Sequence, residues 1–153
     1  MSEIPNGWSE RRFGDICSLI TDGTHYSPKS TTGEYLYITS KNIKFGFLDL
    51  SDVSYISGEE HSEIYAGCPV QYGDLLLTKD GANTGNAALN TLTNPFSLLS
   101  SVALIRADLE QTINEYLIQY LLSPLGQYLI KSEMAGQAIT RLTLKKIKRF
   151  KIP

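Results

Sequence analysis

Hydrophobic and polar positions divide the chain into two textures. Up to about residue 108 the apolar runs are short and rich in Tyr, Leu and Ile, and Gly, Asn, Asp and Ser break them up. Runs at 35–39, 53–56, 74–79, 86–90 and 101–106 read as strands, and Phe45–Gly46–Phe47 and Asn94–Pro95 lie in turns between strands. Segments 11–19 and 59–65 read as two short helices. From Gln111 the period changes: Ile113, Tyr116, Leu117, Tyr120 and Leu121 recur at three- and four-residue steps, the mark of an amphipathic helix. Ser123–Pro124 breaks it, Pro124 suits the first position of a second helix through about Met134, and Gly136 ends that helix. So short a break predicts an antiparallel helical hairpin. A last short helix starts at Thr143, a suitable N-cap, and runs through Lys148 with Leu144 and Ile147 facing inward.

This pattern predicts an α+β fold in a single domain of 153 residues, β-rich over about 1–108 and helical over about 111–153. A chain of this length buries roughly two thirds of its unfolded surface, so no staple is needed. Cys17 and Cys68 have no metal-ligand spacing, and with His25 and His61 as the two histidines a zinc site is not expected. The start, MSEIPNGWSE, has no basic stretch leading into an apolar core, and no apolar span approaches membrane length. A cytoplasmic protein with reduced thiols is the expectation. The chain stops at Lys151–Ile152–Pro153 without a helix-ending cap, which reads as a cut within something longer.

Charge adds an asymmetry. The net charge is −2, yet the sixteen acidic residues all precede residue 134, and six of the fourteen basic ones fall in 141–151. The run GDLLLTKDGANTGNAAL (73–89) looks at first like a phosphate cradle. Lys79, however, precedes Gly81 and Gly85, and no Lys-Ser or Lys-Thr follows them. The spacing of a dinucleotide fingerprint is also missing. A hairpin loop and a loop that presses its bare backbone on another phosphate remain open. No nucleophile elbow or metalloprotease signature joins the serines, histidines and carboxylates, so no catalytic residue and no cofactor is assigned.

Three turns carry a lysine beside Asn, Ser or Thr with little apolar bulk: 22–29 (DGTHYSPK), 40–44 (SKNIK) and 79–86 (KDGANTGN). Those side chains suit phosphates and base edges, although turns favour the same residue types.

The order of segments resembles the target-recognition domain of the specificity subunit of type I restriction–modification systems. The features carrying the resemblance begin with Gly7–Trp8, Arg12–Phe13–Gly14–Asp15–Ile16 and Asp22–Gly23–Thr24–His25. They continue through YLYITSKNI (35–43) with Gly46, Tyr55–Ile56–Ser57, and GDLLLT (73–78) with Gly81 and Gly85. Tyr116–Leu117, Leu121–Leu122–Ser123, Gly136 and the closing 147–153 complete it. The family often reads Gly-Thr-x-x-Pro after the aspartate, whereas Pro28 sits one position later here.

The resemblance implies an irregular, partly β-helix-like β unit closed by the helical hairpin. It implies reading of one half of a split site in double-stranded DNA, without catalysis by the domain. The implied partners are methyltransferase subunits that use S-adenosylmethionine and, through them, a motor–nuclease subunit. A spacer helix and a second recognition domain would follow the closing Ile-Pro. On this footing the DNA-facing candidates are Thr24, His25, Tyr26 and Lys29; Ser40, Lys41, Asn42 and Lys44; Lys79, Asp80, Gly81, Asn83 and Thr84; and Gln137, Thr140, Arg141, Lys145 and Lys146. Two other classes stay open: a module or inhibitor that docks on methyltransferase subunits without reading DNA, and a small cofactor-binding enzyme.

Overall fold

The run Leu75–Thr78 shows no apolar–polar alternation because both faces of its strand are covered. It is β5 in a computed structural model that describes residues 5–134 and 141–153. The chain order is β1 (Arg11–Arg12), α1 (Phe13–Ile16), β2 (Cys17–Asp22), β3 (Tyr35–Ile38), β4 (Ser54–Ile56), α2 (Gly58–Gly67) and β5. There follow β6 (Ala87–Leu89), β7 (Ser97–Leu98), β8 (Val102–Ala107), α3 (Asn114–Leu122), α4 (Pro124–Met134), α5 (Leu144–Arg149) and β9 (Lys151–Ile152). A 3-10 turn, Ser40–Asn42, lies between β3 and β4. Helices and sheets make this an α+β fold, as the sequence implied.

The central sheet has the order β2-β8-β5-β6, every pair antiparallel. Leu75, Leu77, Ala87, Ala103 and Ile105 point to one face, where α1, α3, α4 and α5 supply Phe13, Leu117, Leu121, Ile130 and Ile147. Leu76, Ala88, Val102 and Leu104 point to the other, against Ile38, Phe96 and Leu98 of the second sheet and its flanks. That second sheet has the order β4-β3-β7, with β3 and β7 parallel. Its outer face packs Tyr37 and Ile56 on Ile64 of α2. Burying each of these large aliphatic side chains stabilises the fold by about 1.5–3 kcal/mol.

The expected helix over 11–19 is corrected. The helix is four residues long, and Cys17–Asp22 is a strand paired with β8 from Cys17↔Ala107 to Asp22↔Ala103. Edge pairing with β8 outweighed the helix-like spacing of Phe13, Ile16, Cys17 and Ile20. The short strands β1, β7 and β9 carried no periodic signal. Thr143 caps α5 as expected, its side chain accepting from Lys146 N. The proposed end at Gly136 lies outside the described residues. Cys68 is buried and Cys17 half-buried. Burial, then the Asp108 carboxylate, pushes the Cys17 thiol up to about 12. Burial first, then Asp22 and Asp74, pushes Cys68 up to about 12. No helix among the described residues is long and apolar enough to cross a membrane.

Two ion pairs hold the central sheet at its two ends. Arg106 forks onto Asp74 with two hydrogen bonds of 2.8 Å, Nε to Oδ1 and Nη2 to Oδ2. At the other end Lys79 Nζ, on a side chain only 4% exposed, reaches Asp22 Oδ2 at 3.2 Å. Replacing Lys79 by Met leaves a mostly buried carboxylate with only His25 Nε2 beside it, at 3.3 Å among the described residues, so we expect unfolding in urea to show a loss of about 3 kcal/mol. Adding Asp22→Leu should restore part of it; independent, additive losses would contradict the pairing.

His61 of α2 stacks on Tyr35 with ring centroids 3.9 Å apart and shares a 2.8 Å hydrogen bond with Ser97 Oγ. Burial lowers its pKa below the ordinary 6.5. The unfolded chain therefore takes up a proton below that pH that the folded chain resists. This contribution to stability is full above the ordinary value and is lost as pH falls towards the folded pKa. Cooling of the melting temperature between about pH 7.5 and about pH 5.5 should be smaller in His61→Phe than in the parent. An equal pH response would show that His61 does not titrate this way.

Candidate nucleic-acid interface

Strand polarity brings several loops to one end of the central sheet. β2 and β5 both run antiparallel to β8, so their last residues, Asp22 and Thr78, lie where β8 begins. The parallel pair β3 and β7 ends at the same place: Leu99 N donates to Ile38 O at 3.1 Å, and Thr24 bridges Leu99. Ser101 ties two more loops in, as Lys79 N donates to its carbonyl at 2.9 Å and Ser40 N to its hydroxyl at 3.3 Å. Arg141 bridges Asp80, and Leu142 N donates to Lys79 O at 2.6 Å. The three stocked turns of the sequence therefore meet at one end, with the segment from Arg141.

Residues 79–86 form the hairpin loop between β5 and β6. A nucleotide cradle would lead into a helix, so the strand-loop-strand arrangement removes that option. The hairpin is internally tied. Thr84 donates to Gly81 O through both N, at 3.2 Å, and Oγ1, at 2.6 Å, and Asn86 N donates to Asn83 O at 3.0 Å. Gly85 needs its φ of +105°, and a Cβ there would come 3.1 Å from Gln127 Oε1. Gln127 of α4 also donates to Gly85 O at 3.0 Å and Leu121 O at 2.8 Å, joining the helices to the loop. Gly23 is required by proximity instead: a Cβ would lie 2.0 Å from Leu98 O.

The candidate side chains divide accordingly. His25, Tyr26, Lys29, Lys41, Gly81, Asn83, Arg141 and Lys145 are exposed, while Ser40, Lys44, Asp80, Thr84 and Lys146 are half-buried. His25 Nε2 is 3.3 Å from Asp22 Oδ1, and Tyr26 donates to Glu63 at 3.3 Å. Glu60 accepts from Lys29 N at 2.9 Å and from Ser30 N and Oγ, anchoring the 22–29 turn on α2. The Ser30 side chain and the two backbone N–H groups hold the Glu60 carboxyl below its ordinary range.

Lys79 and Asn42 are not free to meet a ligand. The Lys79 ammonium is buried on Asp22. The Asn42 amide is 1% exposed; it accepts from Thr39 N at 3.2 Å and donates to Asp49 O and Asp52 O at 3.0 and 2.9 Å. Both shape the loops from inside. Thr24 is also buried, at 8% exposure. Lys146 donates to Glu133 O near the end of α4 at 2.7 Å, where a cation is favoured. Gln137 and Thr140 lie outside the described residues. Sequence reasoning missed the roles of Gln127, Glu60 and Ser101, which depend on contacts 30 or more residues apart. Among the described residues no group of three His, Cys, Asp or Glu side chains could hold a metal ion.

Comparison with known proteins identifies the class. The family described as type I restriction modification DNA specificity domain matches residues 5–153, and the chain belongs to that family. Among solved structures, the HsdS subunit from Thermoanaerobacter tengcongensis is similar with a TM-score of 0.66 at 21% identity, over 99% of this chain and 34% of that one. A chain of a type I R-M system, solved to explain complex assembly and conformational transition, gives 0.64 at 20% identity, over 99% and 35%. The type I restriction–modification S subunit from M. genitalium gives 0.54 at 15%, over 94% and 33%. At these identities the likeness is one of fold, and this chain spans about a third of the length of each. A search of curated proteins gave no match.

Gln127 generates a prediction here. Gln127→Leu keeps the bulk but removes the bonds to Gly85 O and Leu121 O, which should cost about 1–3 kcal/mol. Amide hydrogen exchange should then quicken at 81–86 while the β5 and β8 amides stay protected. Uniform acceleration across the sheet would contradict a local hold on the loop.

Proposed function

We propose that this chain reads one half of a split target in double-stranded DNA for a type I restriction–modification enzyme. In this reading, methyltransferase subunits and, through them, a motor–nuclease subunit carry out the chemistry, and the domain itself holds no catalytic site. Membership of the specificity-domain family supports it. The observation that carries the reading is the convergence of the 22–29, 40–44 and 79–86 turns at the Lys79–Asp22 end of the sheet. Exposed Asn83 has no side-chain partner among the described residues and can turn its amide to a base edge, and Gly81, which has no Cβ, lets the backbone come close to a phosphate. Lys29, Arg141, Lys145 and Lys148 are exposed and have no acidic partner within 4.0 Å among the described residues, which suits phosphate contact.

A second reading, docking on methyltransferase subunits without reading DNA, is favoured by one feature. A cleft of about 500 Å³ has an apolar floor of Tyr120, Leu125, Tyr128, Leu129 and Phe150 within a charged lining of Glu10, Glu133, Arg149 and Lys151, an arrangement that suits a protein contact. Binding of randomised duplexes by the assembled enzyme separates the two, since only a reader enriches a short sequence.

With a net charge of −2, binding by the isolated chain rests on a few local cations. About four phosphate contacts give a salt slope near −3.6, so binding should be weak at physiological salt and recover in the assembled complex. Asn83→Ala should relax preference at one or two base pairs, at a cost of about 1–3 kcal/mol, without changing the slope. Reversing charge at Lys145 and Lys148 should weaken all sequences alike and flatten the slope. Unchanged selectivity in Asn83→Ala, or tight selective binding by the isolated chain at physiological salt, would contradict this account.

A further inference from the structure

Phe45 and Phe47 are 54% and 59% exposed on a turn beside the glycine loop. Among the described residues neither ring packs on another aromatic ring. Their backbone is nonetheless firmly held. Ile43 bridges Leu48, and Lys44 N donates to Phe47 O at 2.9 Å. Gly46, at φ +100°, turns the chain and donates from its N to Ala87 O at 2.8 Å. Asn86 Nδ2 donates to Ile43 O at 3.3 Å. The Asn42 amide braces the same segment from beneath through Asp49 O and Asp52 O. The backbone that carries the two rings is thus fixed next to the first residue of β6, where the 79–86 loop ends.

Charge and area narrow what the rings are for. Lys41 pairs with Asp52 at 3.5 Å and Lys44 with Asp49 at 4.0 Å, so the turn has no surplus of positive charge to offer a phosphate. It offers apolar ring surface. Two residues on a narrow turn are far too little for a protein interface, which needs about 800 Å² per side. They do match the apolar wedges with which proteins part neighbouring base pairs. Continuity with the 79–86 loop selects DNA as the occupant.

We propose that Phe45 and Phe47 form a wedge that enters the bound duplex and unstacks one base step beside the bases met by the 79–86 loop. The wedge rests on the DNA-reading function proposed above. Its consequence is selectivity without hydrogen bonds: steps that unstack easily, such as pyrimidine–purine steps, should be preferred at that place.

The test uses the assembled methyltransferase complex and target duplexes carrying 2-aminopurine at successive positions. In the parent complex, emission should rise at one step. In the Phe45→Ala, Phe47→Ala double variant that rise should vanish and affinity should fall about tenfold, whereas Phe45→Trp should retain the rise. Thermal melting of the variants checks that they remain folded. If the parent selects a sequence but no position brightens, or if the signal persists unchanged in the double variant, the wedge is refuted. If the double variant loses methyltransferase subunits while DNA emission is unchanged, the turn is a protein contact and the wedge is again refuted. A parent complex that selects no sequence refutes the DNA-reading function itself, a different outcome from failure of the wedge alone.

Discussion

An ammonium group buried at the end of β5 must find a carboxylate, and Lys79 finds it in Asp22. The two residues sit on opposite sides of β8, which separates β2 from β5 in the sheet. Their bond therefore spans the central strand at the end where it begins. Removing either partner leaves a charge in a place where water cannot fully solvate it, so the pair is costly to break once formed. From it the arrangement of the loops follows. The 22–29 turn leaves from Asp22 and the 79–86 hairpin from Lys79, so fixing one pair fixes the origins of both.

The opposite end of the sheet is closed differently. Asp74 and Arg106 are joined by two hydrogen bonds, and Arg106 Nη2 also donates to Pro69 O at 2.9 Å. At that end Asp74 and Arg106 are thus spent on each other, whereas the Lys79–Asp22 end presents Lys29, Asn83 and Arg141 on its rim. Charges used inside the fold and charges left outside it thus separate by position. Lys79 and Lys146 are tied to Asp22 and Glu133 O, and Lys145 and Lys148 have no acidic partner within 4.0 Å among the described residues. In the proposed reading this separation lets an acidic chain meet a polyanion through a small number of outward cations.

Much of this was legible in the sequence because it depends on local pattern. Leu75–Leu77, the period of Tyr116–Leu121 and the Thr143 cap each announce their element within a few residues. The resemblance to the specificity family was legible as an order of segments, and the family match over 5–153 agrees with it. Illegible features were those decided by distant partners. Cys17–Asp22 became a strand because β8, some 85 residues later, offered an edge. Lys79 read as a free lysine in a polar turn because nothing nearby shows that Asp22 will claim it. Asn42 read as a base-contacting amide for the same reason, although its three hydrogen bonds all serve the backbone of 39–52.

The central claim is that DNA meets the Lys79–Asp22 end of the sheet and the loops anchored there. Amide hydrogen exchange of the assembled complex, with and without its selected duplex, addresses it most directly. The account predicts DNA-dependent protection at 22–29 and 79–86, with none around Asp74, Arg106 and the loop at 109–113. Protection confined to that opposite end, or to the outer face of α2, would contradict it.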